Sequence, residues 1–332
     1  MGAILLNKCN LYLVRNIKYQ MIIKLLISLF SLFSLLLFES CQKETSDIVD
    51  INNIALADGI SSNKIIVWGH SAGRIIEPFL ESELRNFYSY NFVFERCSAN
   101  GERMLQIAAR QGSIPAFFTK DICERIGNKY QIATAIHPLS SSFDGSDVFF
   151  SIINGVNPCT INNVLGELSR VNSFVYFEPY KICDFSLDSV NLINTSASIR
   201  FRNSLFSFFW CDQLVDRSNL ETLLEKYRIM VNFIGNDRFL IIGSIRGDSL
   251  SHKEIESILS AEFNDHYFNA REYLISEAAR NMSNLSDSDK VRVSCGRVPL
   301  IWMKDDVHLN DHGAKLLAKE IVRTLTVSHL LL

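Results

Sequence analysis

Lys64-Ile65-Ile66-Val67-Trp68-Gly69-His70-Ser71-Ala72-Gly73 opens the folded part of the chain. A short β-branched run closes on a glycine, and small residues follow where a helix would begin. The run is apolar at successive positions, so both of its faces must be covered. That is the pattern of a strand inside a parallel sheet, not of a half-solvated antiparallel one. Downstream, the spacing predicts a helix over 73–87, a strand at 91–95 (NFVFE) and a helix over 103–110. Further strands are expected at 204–210 (SLFSFFW), 238–244 (RFLIIGS) and 267–268, with helices at 220–233, 251–263 and 311–325. Alternation of this kind specifies an α/β domain whose parallel sheet is covered by helices on both faces, with ligands beyond the carboxyl ends of the strands. The interval 130–200 breaks the rhythm with Asn154-Gly155, Asn157-Pro158 and Asn162-Asn163 turn signals around short strand-like pieces such as Ser173–Phe177, and reads as a small β-rich insertion.

Composition narrows the function classes. Of 332 residues 48% are hydrophobic and 21% charged, so the chain is globular, not disordered, and a net charge of -3 supplies no field for nucleic acid. A concentrated apolar stretch lies at the amino end: Leu25–Phe38 (LLISLFSLFSLLLF) is uncharged, follows Lys24, and is short for a bilayer span but suited to a signal-peptide core. Met21 is an alternative start. The run ends in Glu39-Ser40-Cys41-Gln42-Lys43 and resembles a bacterial lipoprotein signal, which implies lipidation at Cys41; Phe38 and Glu39 depart from the usual residues before such a cysteine. An ordinary cleaved signal, an anchor helix and no export at all are the alternatives; the first two, like the lipoprotein reading, put the rest of the chain outside the cytoplasm. The expected organisation is therefore a leader over 1–41, a tether over 42–62 and one domain over 63–328. Beyond the leader's Cys9 and Cys41, the cysteines at 97, 123, 159, 183, 211 and 295 lack zinc-ligand spacing and read mostly as single buried thiols.

Two constellations carry chemistry. Ser71 is expected at a strand-to-helix turn, where helix amides favour developing negative charge. Its surroundings match G-x-S-x-G, the nucleophile elbow of α/β-hydrolases, although small residues in a turn are common. Asp305-Asp306-Val307-His308-Leu309-Asn310 precedes the last helix. An aspartate three residues before a histidine can fold back onto the imidazole Nδ1–H and leave Nε2 for a nucleophile, and the alternative is an acidic helix cap beside an exposed histidine. Taken together, the two stretches supply nucleophile, base and orienting carboxylate.

With Ser71 ending the first strand, and Asp305 and His308 on one turn before the last helix, the order resembles the SGNH (GDSL-type) hydrolase family over about 64–325. An α/β-hydrolase would place the elbow after several strands and its acid well upstream of His308. The strongest blocks are D-x-x-H-L-N-x-x-G at Asp305–Gly313 and Ser98-Ala99-Asn100-Gly101-Glu102 running into Ile107-Ala108-Ala109-Arg110-Gln111-Gly112. Asn157-Pro158-Cys159 and Phe268–Tyr273 look like those of a bacterial subgroup with a β-rich insertion. The resemblance implies a three-layer, flavodoxin-like sheet, a Ser71–His308–Asp305 triad, and an oxyanion hole from the amides of Ser71 and Gly101. It implies no metal or organic cofactor. Two blocks depart: His70 replaces the aspartate of G-D-S, as a spectator, a second base or a pocket wall, and Trp210-Cys211-Asp212-Gln213 lacks the third-block asparagine, leaving Gln213 as the available donor. Gly235-Asn236-Asp237 precedes a strand and reads as a helix-to-strand turn. The expected activity is that of an exported serine esterase, lipid-anchored on the periplasmic or cell-surface side, acting on O-acetyl groups of an acetylated polysaccharide. The alternative is a catalytically impaired surface protein of the same fold that binds carbohydrate.

Overall fold

The computed structural model describes residues 63–119, 124–139, 155–172, 174–181, 185–201, 204–211, 220–247 and 251–331. The leader, Cys41, the tether, Cys123, Cys183 and Gln213 lie outside them. The chain runs β1 (Lys64–Gly69), α1 (Ser71–Phe87), β2 (Val93–Ser98) and α2 (Met104–Gln111). It continues as β3 (Ala116–Thr119), β4 (Glu124–Ile126), β5 (Lys129–Ala133), β6 (Cys159–Ile161), β7 (Val164–Val171), β8 (Phe174–Pro179), β9 (Val190–Asn194) and α3 (Ser196–Arg200). It then returns through β10 (Phe206–Trp210), α4 (Leu220–Ile234), β11 (Phe239–Ile242), α5 (Ser251–Phe263), β12 (Tyr267–Phe268), α6 (Ala270–Arg280), α7 (Asp287–Ser294) and α8 (Asp311–Val327).

β1 is buried at every position because parallel strands flank it on both sides: β10 pairs from Ile65↔Phe206 to Gly69↔Trp210, and β2 from Lys64↔Val93 to Gly69↔Ser98. The sheet order is β12-β11-β10-β1-β2, all parallel, so the winding reverses at β1. Such a switch point opens a crevice at the carboxyl edge of the strands. Alternate side chains divide the core in two. Ile65, Val67, Phe208 and Leu240 pack with Ile76 and Leu80 of α1, Leu274 of α6 and Leu317 and Ile321 of α8. Ile66, Trp68, Phe209 and Ile241 face the other way, toward Ile107 of α2, Leu223 and Tyr227 of α4, and Leu259 of α5. The expected α/β architecture with helices on both faces is therefore present.

The β-rich insertion is larger than the sequence suggests and starts earlier, at Ala116, not near 130. It is a seven-stranded antiparallel sheet, β3-β9-β6-β7-β8-β5-β4, with its own core around Phe118, Ile132, Leu168, Val175 and Phe177. Asn157 serves as a surrogate strand residue within it, donating to Leu168 O (2.8 Å) and accepting from Leu168 N (2.9 Å). Cys97, Cys159 and Cys211 are buried and Cys295 is exposed, none of them in a disulfide.

Candidate active site

The strand-to-helix turn is built by hydrogen bonds that hold the chain as it leaves β1. Gly69 O accepts from Ala99 N (3.0 Å) on one side, and His70 N donates to Trp210 O (3.3 Å) on the other. His70 is extended and caps α1: its Nδ1 accepts from Ala72 N (3.1 Å), satisfying one of the amides a helix start leaves open. Ser71 thereby becomes the first residue of a 17-residue helix. The flanking glycines allow a close approach to β2. A Cβ on Gly69 would lie 3.0 Å from Ser98 Oγ and 3.1 Å from Trp210 O, and one on Gly73 would lie 2.6 Å from Ser98 Oγ.

The second half of the site is a tight loop closed by the Met303↔Leu309 bridge and by Lys304 N donating to His308 O (2.8 Å). Asp305 organises it: Oδ1 accepts from the amides of Val307 and His308, both at 2.8 Å. The same carboxylate receives His308 Nδ1, at 2.8 Å from Oδ2 and 3.1 Å from Oδ1. Asn310 then caps α8 by accepting from Gly313 N (2.9 Å), and its Nδ2 reaches back to Ile301 O (2.8 Å). Gly313 is required because a Cβ there would lie 2.5 Å from Trp302 O.

The two halves meet. His308 Nε2 lies 2.8 Å from Ser71 Oγ, across 237 positions of sequence. A carboxylate only accepts, so Nδ1 carries the imidazole proton and Nε2 offers its lone pair to the serine hydroxyl. The hydrogen bond from His308 holds the Asp305 carboxyl down to about 2, with the two loop amides adding to the effect. Nucleophile, base and orienting carboxylate are thus in line, as general-base activation of a hydroxyl requires.

The residues around this line have definite tasks. Burial, with smaller contributions from the charges of His308 and Arg246, pushes His70 down to about 3. Its Nδ1 lone pair is committed to Ala72 N, so the extra imidazole is a neutral helix cap and not a second base. Gly101 lies in the loop leaving β2 at the carboxyl edge, exposed and in a left-handed conformation (φ 74°) that favours glycine. The following Glu102 is fully buried and paired with the equally buried Arg110 of α2, whose Nε donates to Oε1 (2.9 Å). Arg110 also lies over the Trp68 ring, and its carbonyl accepts from the Thr195 hydroxyl (2.6 Å), which fixes the Gly101 loop to the domain. Glu77, two turns into α1, accepts from Ser98 N (2.9 Å), and burial raises it to about 7. Neither Glu77 nor the Glu102–Arg110 pair stands out in the sequence, where an acid in an amphipathic helix and two charges eight positions apart read as solvated. Gln213, the residue expected to supply a third oxyanion donor, is outside the described residues, whereas Gly235-Asn236-Asp237 is the turn between α4 and β11, as expected.

No family model, no curated protein and no solved structure matches this chain.

Proposed function

We propose that this chain is a serine esterase of the SGNH (GDSL-type) kind that hydrolyses its substrate through an acyl-serine intermediate. One observation carries the reading: the continuous hydrogen-bonded line from Ser71 Oγ through His308 to Asp305 at the carboxyl edge of a parallel sheet. Ser71 Oγ attacks the ester carbonyl carbon as its proton passes to His308 Nε2, and Asp305 stabilises the imidazolium. The amides of Ser71 and Gly101 are assigned to the oxyanion, with Gln213 as a third donor. The protonated His308 then gives its proton to the leaving alkoxide. Water, activated by the same imidazole, attacks the acyl-serine and releases the acid. The substrate class assigned to the site is O-acetylated carbohydrate, and the leader assigns the domain to the cell envelope through a lipid on Cys41.

A fluorophosphonate probe tests the reading. Wild type is expected to be labelled and Ser71→Ala to be silent. Asp305→Asn is expected to lose on the order of 10²–10⁴ in turnover, because the amide no longer fixes the required tautomer. Acetate release across a panel of acetylated glycans identifies the substrate. Absence of labelling on folded wild-type protein would sink the esterase and favour a carbohydrate-binding surface protein.

A further inference from the structure

Four basic side chains come from four different segments that converge on the site. Arg74 is exposed on the first turn of α1, three residues beyond Ser71 and hence on the same helix face. Arg103, exposed at the cap of α2, follows Gly101 by two residues. Lys304 is exposed beside Asp305, and its amide holds His308 O. Arg246, half-exposed in the loop that leaves β11 at the same carboxyl edge, is close enough for its charge to be felt at His70.

Several basic side chains elsewhere have carboxylate partners, among them Arg85 with Glu81, Arg228 with Glu262, Arg271 with Glu256 and Arg323 with Glu320, while others, such as Arg238 and Lys315, have none among the described residues. Among the described residues, none of the four rim cations has such a partner. Among the described residues of these segments the acids left to balance them are fewer: Asp305 is engaged by His308, Glu102 is buried with Arg110, and Asp306 and Asp311 are the other acids between Met303 and the first residue of α8. The chain as a whole is negative, at -3, so a positive rim is not a by-product of a basic protein. Like charges gathered at the mouth of a crevice raise the local concentration of an oppositely charged substrate.

We infer that the ester cleaved at Ser71 sits on an anionic molecule, a carboxylate-bearing O-acetylated glycan, whose carboxylates are held by Arg74, Arg103, Arg246 and Lys304. This deepens the esterase reading and rests on it. Carboxylate geometry suits the planar guanidinium fork of the three arginines, and Lys304 adds a point charge.

The test compares chemically acetylated polygalacturonate with its methyl-esterified counterpart, which keeps the backbone and the acetyl groups and removes the charge. Acetate release by wild type is expected to favour the charged polymer by about tenfold in kcat/KM at low salt, the preference collapsing in high salt as rim charges are screened. In Arg74→Ala and Arg246→Ala, each checked for folding by thermal unfolding, the preference ratio is expected to fall, with Arg246→Lys retaining more of it than Arg246→Ala. 4-Nitrophenyl acetate, small and neutral, separates the two readings. Ser71-dependent cleavage of it alongside equal or absent action on the two polymers overturns the anionic-substrate assignment alone, as does a preference that none of the rim substitutions changes. No cleavage of 4-nitrophenyl acetate and no fluorophosphonate labelling overturns the esterase and this inference with it.

Discussion

His70 and Glu77, seven positions apart and both buried, are displaced in opposite directions. Burial takes the imidazole from 6.5 down to about 3 and the carboxyl from 4.5 up to about 7. Between about pH 4.5 and 6.5 the folded protein therefore keeps Glu77 protonated and His70 neutral, while the unfolded chain has the reverse. Unfolding in that window hands one proton from Glu77 to His70, and the pair contributes no slope to stability. The depressed base alone makes stability fall as pH drops below 6.5, and the raised acid alone makes it fall as pH rises from 4.5 to 7. Glu77→Gln keeps an acceptor for Ser98 N and removes the acid's half. The variant is expected to gain stability over wild type by about 1.4 kcal/mol per pH unit between 4.5 and 7. Urea unfolding of both proteins at pH 5 and pH 7 measures this, and a constant difference between the two would refute it. The neutrality of His70 also matters to the candidate chemistry. A second cation beside His308 would oppose the charge that its imidazole must take on when it accepts the serine proton.

At the scale of elements, the turn between β1 and α1 depends on how near α1 comes to β2. Ordinarily, alanine in place of a helical glycine is favourable by about 1 kcal/mol. Gly73→Ala is expected to do the opposite, costing about 1–3 kcal/mol, because its Cβ would meet Ser98 Oγ at 2.6 Å. Turnover should fall as well, since Ser71 sits two residues away on the same turn. Ser98→Ala in the same chain removes the obstructing hydroxyl, so a double-mutant cycle on unfolding free energies should show strong coupling, and additive effects would contradict the packing argument. The glycines of G-x-S-x-G were legible as a pattern, but the reason for them was not, because Ser98 approaches from another strand. The same limit explains which elements the sequence hid. β1, β10 and β11 are covered on both faces and read as apolar runs. β2 is an edge strand, exposed at Val93 and Arg96 and half-buried between them, so its polar end carries no apolar signal and the pattern points to 91–95 where Val93–Ser98 pairs. β3 is four residues long behind Pro115, too brief to announce the insertion. α6 and α7 bury few apolar side chains, so no helical periodicity marked them.

At the scale of the whole molecule, the distance in sequence between Ser71 and His308 is bridged by two helices of 17 residues each. Ser71 and His308 meet where α1 and α8 begin, and Tyr88 Oη lies 3.2 Å from Thr326 Oγ1 where they end, so the helices run side by side in the same direction. Ser71 thus sits at the amino end of α1, and the amino end of α8 follows His308 by three residues, each helix end favouring negative charge nearby. Between them, Ile76, Leu80 and Leu84 of α1 share one buried cluster with Leu317, Ile321 and Leu325 of α8. The triad was legible as two motifs, but this seam was not, because apolar spacing in each helix says only that it packs and not against what. If the seam sets the serine-to-imidazole distance, a cavity in it must affect chemistry and not stability alone. Leu317→Ala is expected to cost about 2–5 kcal/mol and, well below its unfolding temperature, to lower kcat by about tenfold or more, since misplacements near 1 Å are expensive for near-attack geometry. Ile132→Ala supplies the control: it is equally buried, but in the core of the antiparallel sheet, and should lose comparable stability with turnover close to wild type. Rates of the proposed ester hydrolysis measured for both variants at one temperature, beside their urea unfolding curves, decide the matter. Equal losses of kcat would mean that the two cores are interchangeable supports and that the α1–α8 seam has no special hold on the site.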